Sequence, residues 1–157
     1  MPEFSHISDS RAKMVDISAK PDVTREAVAS GKIHLLPATL KAIREGTVVK
    51  GNVLATARVA AALAVKETPH LIPMCHPLPV AGIDVEFTEL DTAIEARVRV
   101  KSLGKTGVEM DALTGVSVAL LTIWDMVKSA EKDENGQYPE TRIEEIRVME
   151  KRKGTAG

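Results

Sequence analysis

The feature that most constrains the fold is a long apolar stretch, GKTGVEMDALTGVSVALLTIWDMVKSAEKD, at residues 104–133. Its apolar residues recur at helical spacing, which predicts one long helix that begins near Thr106, a residue able to cap it. Apolar side chains fill one side of this helix, and the other carries a narrow polar stripe of Asp111, Thr114, Ser117, Thr122, Asp125, Lys128 and Ser129. Val118 and Leu121 interrupt the stripe. We therefore expect it to line a cleft or a subunit contact rather than bulk water.

The composition limits both the core and the partners of the chain. At 157 residues it fits one domain, and 44% hydrophobic but only 3% aromatic residues predict a core of aliphatic side chains and closely packed alanines. A net charge of −1 argues against a protein that coats nucleic acid or an acidic membrane. We therefore expect neither nucleic acid nor a membrane as a partner.

Cysteine usage and the N-terminus indicate the compartment. A single cysteine excludes an internal disulfide and fits a reducing environment. The opening MPEFSHISDSRAK lacks the basic and apolar regions of a secretory signal, and no apolar run is expected to approach the roughly 20 residues of a membrane span. The sequence therefore predicts a cytoplasmic protein.

Shorter elements surround the long helix in one predicted domain, residues 14–153, between a flexible N-terminus, 1–13, and a flexible tail, 154–157. Runs of mixed or alternating polarity predict strands, and Pro, Asn and Gly at run boundaries predict two further helices. The predicted elements are strands MVDIS and TREAVASGKIHLL, a helix PATLKAIRE closed by Gly46, a helix from Gly51 or Asn52 to about Glu67 and Pro69, a hairpin of GIDVEFTELD and AIEARVRVKS, and a last strand TRIEEIRVMEK.

The order of these elements predicts an α+β fold, a ferredoxin-like β-α-β-β-α-β sandwich with an antiparallel sheet and extra N-terminal elements. Helices cover one face of the sheet in that fold, so we expect assembly with other copies to cover the second face. The run from Val59 to Val65 is apolar almost all round, which predicts its burial, in part against another copy.

Two pairs of charged residues lie on or beside the predicted helices. Lys50 precedes the second helix, and together with Arg58 it would suit a phosphate at the helix N-terminus; a solvent-facing lysine is the commoner explanation. Asp125 and Lys128 are three residues apart on the long helix. They form either a tuned proton carrier or an ordinary surface ion pair, and spacing alone favours the ion pair.

The proline-rich loop LIPMCHPLP contains Cys75 and His76, and His70 comes shortly before it. Adjacent residues rarely bind one tetrahedral ion and there is no second cysteine, so we do not expect a zinc site. With no evident base beside it, Cys75 is expected to be a packed thiol or a wall of a substrate site. His76 is expected either to hydrogen-bond a ligand or to cap the core.

Glu109 and Asp111 place negative charge in the first turn of the long helix. Complementarity to the helix dipole explains this charge without function. A carboxylate can also accept hydrogen bonds from the amide and amine edge of a guanine-like ring. With the cations described above, the pattern indicates a nucleotide-like ligand.

Several strings of the sequence, in this order, are characteristic of a known family. MVDIS, KGNVLATARVAA, LIPMCHPL, GKTGVEMDALTGVSVALLTIWDMVK and the closing strand resemble the cyclic pyranopterin monophosphate synthases, the molybdenum cofactor biosynthesis protein C family, over about residues 14–153. The resemblance implies a homo-hexamer, a trimer of dimers, with active sites at the dimer interface. It also implies a reaction, the conversion of 3′,8-cyclo-7,8-dihydroguanosine 5′-triphosphate to cyclic pyranopterin monophosphate with release of pyrophosphate.

The resemblance assigns roles to individual residues. It implies that the catalytic residues are Lys50, Asp125 and Lys128. It implies that the substrate-binding residues are Met74, Cys75, His76, Glu109, Met110, Asp111, Arg25 and Lys151. We expect the two catalytic lysines to carry protons, with Lys128 oriented by Asp125, and we expect Arg25 and Lys151 to hold the phosphates. No metal-binding residue is implied, and the resemblance leaves open a Mg²⁺ ion that accompanies the triphosphate.

An enzyme of molybdenum cofactor biosynthesis is therefore the expected function. The same basic residues and the Cys-His loop would also permit a nucleotide- or metal-sensing oligomer without turnover. Formation of product from the cyclised nucleotide separates the two hypotheses.

Overall fold

A computed structural model describes residues 7–8 and 11–154 of the chain. Their elements, in chain order, are β1 (Ile7–Ser8), β2 (Arg11–Ala12), β3 (Val23–His34), α1 (Pro37–Glu45), α2 (Val53–Leu71), β4 (Val80–Glu89), β5 (Ala93–Gly104), α3 (Glu109–Glu131) and β6 (Arg142–Lys153). Within the predicted flexible N-terminus, β1 pairs with β2 in a small antiparallel ribbon. Residues 1–6 and 9–10 of that segment and residues 155–157 of the predicted tail lie outside the described residues.

One antiparallel sheet of four strands organises the fold, in the order β4-β5-β3-β6. β3 lies in the middle, between β5 and β6, and the hairpin of β4 and β5 supplies one edge. The helices α2 and α3 pack on one face, and α1 connects β3 to α2. This arrangement confirms the predicted α+β ferredoxin-like sandwich.

Small residues allow the two main helices to pack closely against each other and the sheet. Ala57, Ala61 and Ala64 of α2 are buried against α3, as the alanine-rich composition predicts. At Gly115 of α3, an added Cβ would lie only 2.9 Å from a methyl group of Val65. The core between these helices and the sheet is aliphatic, which agrees with the low aromatic content.

By length and composition alone, α3 is the one helix among the described residues that could cross a membrane, with 23 residues and a mean hydropathy of 1.4. The expectation that no apolar segment approaches that length is therefore wrong for this helix. Its apolar face, including Val116, Leu120 and Ile123, is fully buried on the sheet. We therefore describe α3 as the core helix of the sandwich.

Three details of the sequence prediction are wrong. Met14–Ser18, predicted as a strand, is irregular, because side chains rather than a neighbouring strand bond its backbone: His76 contacts the Val15 carbonyl, and Asp16 accepts from the Ser18 N–H. The helix predicted to stop near Pro69 continues to Leu71, since a proline in the last turn removes only one backbone bond. The long helix begins at Glu109 after an N-cap at Val108, so Thr106 does not cap it.

Other boundaries were predicted correctly because residues at the boundary itself determine them. The Asn52 side chain accepts a hydrogen bond from the Ala55 N–H at 3.0 Å and begins α2. Gly46 ends α1 in the left-handed conformation, with a φ of 70°. The hairpin turn falls after Glu89, where the sequence predicts it.

The sheet face opposite the helices carries mostly charged side chains. Arg99 pairs with Glu26, and Lys32 lies 2.9 Å from Glu145. Water can solvate such a face. Among the described residues, no apolar surface there requires the cover by another copy that the sequence analysis expects. Exposed apolar side chains lie instead on the helix layer, where Val59 and Leu63 are 61% and 58% exposed in the single chain. The sequence predicts burial of this run in part against another copy, and that part stays a prediction.

A buried carboxylate joins the end of α3 to the start of α1. Glu131 is 2% exposed. Its oxygens accept hydrogen bonds from the Leu36 N–H at 3.1 and 3.2 Å, from the Thr141 hydroxyl at 2.8 Å and from the Thr39 hydroxyl. Leu36 is the N-cap of α1 and has no capping side chain of its own. Glu131 therefore caps α1 from a distant part of the sequence.

Replacing Glu131 with alanine is expected to lower the free energy of unfolding by about 3–5 kcal/mol, because several buried donors lose their acceptor together. Chemical denaturation followed by circular dichroism measures the loss. Glu134→Ala, which removes an exposed carboxylate just after α3, is the matched control and should change stability little. Equal midpoints for the two variants would contradict the capping role.

Candidate functional site

Two lysines and an aspartate from separate motifs meet at the C-terminal part of α3. The Lys50 ammonium donates to the Asp125 carbonyl at 2.9 Å and lies 3.4 Å from the Asp125 carboxylate. Lys128 contacts the other oxygen of that carboxylate at 3.2 Å. We call these three residues the lysine cluster. The structure thus brings together all three residues that the resemblance assigns to catalysis.

The electrostatics of the lysine cluster follow from its two cations. Lys128, and then Lys50, hold the pKa of the Asp125 carboxyl below its usual value through hydrogen bonds and charge. Asp125 is therefore ionised near neutral pH and can orient both ammonium groups. In the single chain the side chains of Lys50, Asp125 and Lys128 are 47%, 63% and 45% exposed. All three side chains are therefore accessible from outside the single chain.

A second set of predicted residues lines a cavity at the opposite end of α3. The cavity has a volume of about 540 Å³ and is lined by Met74, Cys75, His76, Glu109, Met110 and their neighbours. We call it the loop cavity, since the loop before β4 forms one wall and the start of α3 forms another. The structure therefore brings together the two segments to which the resemblance assigns substrate binding, although they lie far apart in the sequence.

The polar groups of the loop cavity are fixed by short contacts. The Nε2 atom of His76 lies 2.7 Å from the Val15 carbonyl. The Glu109 carboxylate lies 2.9 Å from the Lys151 ammonium. Burial, with the nearby carboxylates of Asp111 and Glu109, raises the pKa of the Cys75 thiol. A thiol held protonated in this way is a poor nucleophile, so its role here is that of a wall.

Asp111 lies behind this wall and is almost fully enclosed. It is 2% exposed, and its Oδ2 atom has no hydrogen-bond partner among the described residues. Burial is the main cause that raises the pKa of Asp111 from 3.8 to about 6, and the charge of Glu109 adds to it. The unpartnered oxygen is free to accept a hydrogen bond from an N–H group.

This raised pKa predicts how stability depends on pH. The folded protein holds the Asp111 proton more tightly than the unfolded chain, so this residue stabilises the fold most below pH 4 and loses that contribution as pH rises to about 6. Relative to the wild type, Asp111→Asn should therefore gain on the order of 1 kcal/mol in unfolding free energy between pH 5 and pH 7. Urea denaturation of both proteins at the two pH values checks this. A pH-independent difference would show that Asp111 titrates as in the unfolded chain.

The two predicted phosphate contacts lie near each other on the helix side of the sheet. Arg25 of β3 is buried, donates through Nε to the Gly104 carbonyl at 3.3 Å, and has an Nη2 atom without a partner in the described part of the chain. Lys151 of β6 pairs in register with Ala27, two residues along β3. Both therefore lie at the same end of the sheet as the start of α3, and each keeps a cationic donor available.

Other residues that the sequence analysis considered have different partners. Arg58 donates to the Val85 carbonyl and covers the Phe87 ring at 5.7 Å, so it does not join Lys50. His70 pairs with Glu67 at 2.9 Å on α2. Within residues 7–8 and 11–154, no group of three or more His, Cys, Asp and Glu side chains is placed to hold a metal ion.

The cavity also includes residues that the sequence analysis missed. Val15, Ile17 and Lys20 of the segment before β3 line it, as do Thr106 and Gly107. The alternation of Val15 and Ile17 was a usable signal, but it was interpreted as a strand. Lys105, in the GKTG string, anchors the same segment by donating to the Lys20 carbonyl at 2.9 Å.

The lysine cluster and the loop cavity are widely separated in one chain. Asp111 and Asp125 lie on the same helix, and a rise of 1.5 Å per residue places them roughly 21 Å apart. A proton carrier must come within hydrogen-bond distance of the reacting group. The two sets from one chain therefore cannot contact the same ring system.

Comparison with known proteins gives a consistent result. The sequence profile of the MoaC family matches residues 14–154. A protein of Methanoregula boonei named "Probable cyclic pyranopterin monophosphate synthase" is 77% identical over 98% of this chain and 99% of its own length. Proteins of the same name from Methanospirillum hungatei and Thermococcus kodakarensis are 70% and 58% identical, over 96% and 98% of this chain and 97% and 99% of their own lengths. This chain belongs to the MoaC family.

Proposed function

We propose that this protein is a cyclic pyranopterin monophosphate synthase of molybdenum cofactor biosynthesis. It converts 3′,8-cyclo-7,8-dihydroguanosine 5′-triphosphate to cyclic pyranopterin monophosphate and releases pyrophosphate. The observation that carries this proposal is the contact of Lys50 and Lys128 with one carboxylate, Asp125, although the two lysines come from motifs 75 residues or more apart. The names of the relatives support the same activity.

The chemistry of this conversion suits the two sets of residues. Opening one ring, closing another and forming a cyclic phosphate require repeated proton transfers, which Lys50 and Lys128 carry while the ionised Asp125 orients them. Glu109 and Asp111 accept hydrogen bonds from the amide and amine edge of the guanine-derived ring. Arg25 and Lys151 neutralise the phosphates. A Mg²⁺ ion that accompanies the triphosphate would add to this neutralisation.

We further propose that each active site forms between two copies of the chain. The lysine cluster of one copy then faces the loop cavity of its partner, which removes the separation of roughly 21 Å along one helix. An antiparallel pairing of two α3 helices about a two-fold axis creates two equal sites. The exposed apolar side chains on this helix layer support such a contact, since Leu121 of α3 is 57% and Met110 is 41% exposed.

The larger assembly is proposed on the same basis. Three dimers form a hexamer, and residues 14–153 of each chain form its single catalytic domain. A second exposed apolar group on β6, of Ile146, Val148 and Met149, each 39–41% exposed, offers a separate contact surface for this step. The proposed location is the cytoplasm.

Incubation with the cyclised dihydro-nucleotide tests the activity. We expect stoichiometric pyrophosphate and a pterin that becomes fluorescent after oxidation, with turnover beyond one equivalent per chain. A sensor without turnover would instead bind the nucleotide tightly and release neither product. That outcome would refute the proposed function.

A further inference from the structure

The segment between β2 and β3 has a defined shape although it belongs to no sheet. We call residues 14–22 the strap. The Asp16 carboxylate accepts a hydrogen bond from the Ser18 N–H at 2.8 Å, and the Lys20 N–H donates to the Ile17 carbonyl at 3.0 Å. Val15 and Ile17 are half-buried, whereas the residues around them are exposed. These local bonds form a turn that presents two aliphatic side chains to one side.

The strap covers the loop cavity. Val15, Ile17 and Lys20 line the cavity together with Met74, Cys75 and His76. The strap thus supplies an apolar wall of a cavity that the polar start of α3 also lines. A flat ring bound in the cavity would contact this wall on one face.

The first of two contacts that anchor the strap determines which ring nitrogen of His76 carries a proton. Because a carbonyl oxygen only accepts hydrogen bonds, the 2.7 Å contact between His76 Nε2 and the Val15 carbonyl requires the proton on Nε2. In the neutral ring, Nδ1 then carries a lone pair. His76 is therefore oriented by the strap as an acceptor for an N–H group of a ligand.

The second anchor is Lys105. Its ammonium donates to the Lys20 carbonyl at 2.9 Å and lies 3.4 Å from the Asp22 carboxylate. Lys105 comes from the other wall of the cavity, since its neighbours Thr106 and Gly107 line it. The ammonium therefore connects the far end of the strap to the segment that leads into α3.

We propose that Lys105 is a positioning residue of the synthase, which holds the strap closed so that His76 and the Val15–Ile17 wall fit the substrate ring. This inference rests on the proposed function, and Lys105 itself need not touch the substrate. Losing the anchor should loosen the strap and displace His76. A displacement of about 1 Å at a binding residue can lower activity about 100-fold.

Lys105→Met tests the proposal, because it removes the ammonium and keeps most of the side-chain stem. We expect hydrogen exchange of the peptide covering residues 14–22 to become about tenfold faster. We expect kcat/KM to fall about tenfold to 100-fold, with a rise in KM as well as a fall in kcat. Lys105→Arg, which keeps the donors, should restore most of the exchange protection and activity.

Two further variants sharpen the test. Asp22→Ala removes only the charged partner at the surface, and it should give an intermediate effect on exchange and kcat/KM. Lys41→Met, an exposed lysine of α1, should leave both quantities unchanged. Normal exchange in the strap of Lys105→Met would overturn the proposal, and so would faster exchange with unchanged kinetics. If the wild-type protein itself shows no turnover, the proposed function fails, while the exchange measurement still reports whether Lys105 holds the strap.

Discussion

Lys128→Ala is expected to lower kcat by about a thousandfold while the fold and the assembly stay intact. The reason is the position of its ammonium, 3.2 Å from an ionised Asp125 that Lys50 also contacts. A side chain held in this way can deliver and recover protons during the ring rearrangement. Single-turnover kinetics with the cyclised nucleotide measures the chemical step directly.

Two companion variants separate the possible roles of Lys128. Lys128→Arg keeps the charge but cannot release a proton near neutral pH, so it should be almost as inactive as the alanine variant. Lys41→Ala, an exposed lysine on α1, should behave like the wild type. If Lys128→Ala remains active but its oligomer dissociates, Lys128 is a structural ion-pair residue, which is the alternative that spacing alone favours.

The fold could largely be predicted because the local sequence determines most helix ends and strands. Asn52 and Gly46 mark helix ends by hydrogen bonding and backbone conformation, and alternation marks β4 and β5. The wrong predictions have a common cause: at those positions, contacts with residues distant in sequence determine the conformation. Met14–Ser18 alternates like a strand, yet it joins neither sheet, and Val15 and Ile17 line the loop cavity instead. Thr106 has a capping side chain, yet it lies on the cavity wall instead.

The site could be predicted only in part for the same reason. The spacing of Asp125 and Lys128 predicts their contact, but nothing local predicts that Lys50 joins them. The catalytic role of Lys50 is implied by the resemblance alone, whereas its place before α2 suggests only a phosphate contact. The carboxylate of Glu131, which caps α1 across 95 residues, and the anchor at Lys105 were not predicted, because each bonds a backbone group that is distant in sequence. The assigned roles of the site residues stay predictions until variants are measured.

Mixing two inactive variants is expected to restore activity, and this is the second large effect. Lys128→Ala removes the lysine cluster from one chain, and His76→Ala damages the loop cavity of the other. If each active site takes one set from each chain, a mixed dimer has one site with both sets intact and one with both damaged. Random pairing makes half of the dimers mixed, so about a quarter of wild-type activity should return.

A matched control uses two variants of the same cluster. Lys128→Ala mixed with Lys50→Ala should stay inactive, because the structure places both lysines on the Asp125 of their own chain and no mixed dimer then has an intact cluster. Recovery in this control would show that Lys50 and Lys128 of different chains act together.

The shared site is the central claim, and the most direct test is the turnover rate of an equimolar Lys128→Ala and His76→Ala mixture after subunit exchange. The proposal of a site between two chains predicts recovery to about a quarter of the wild-type rate. A mixture that is no more active than either variant alone, although mass spectrometry shows that the subunits have exchanged, would contradict it.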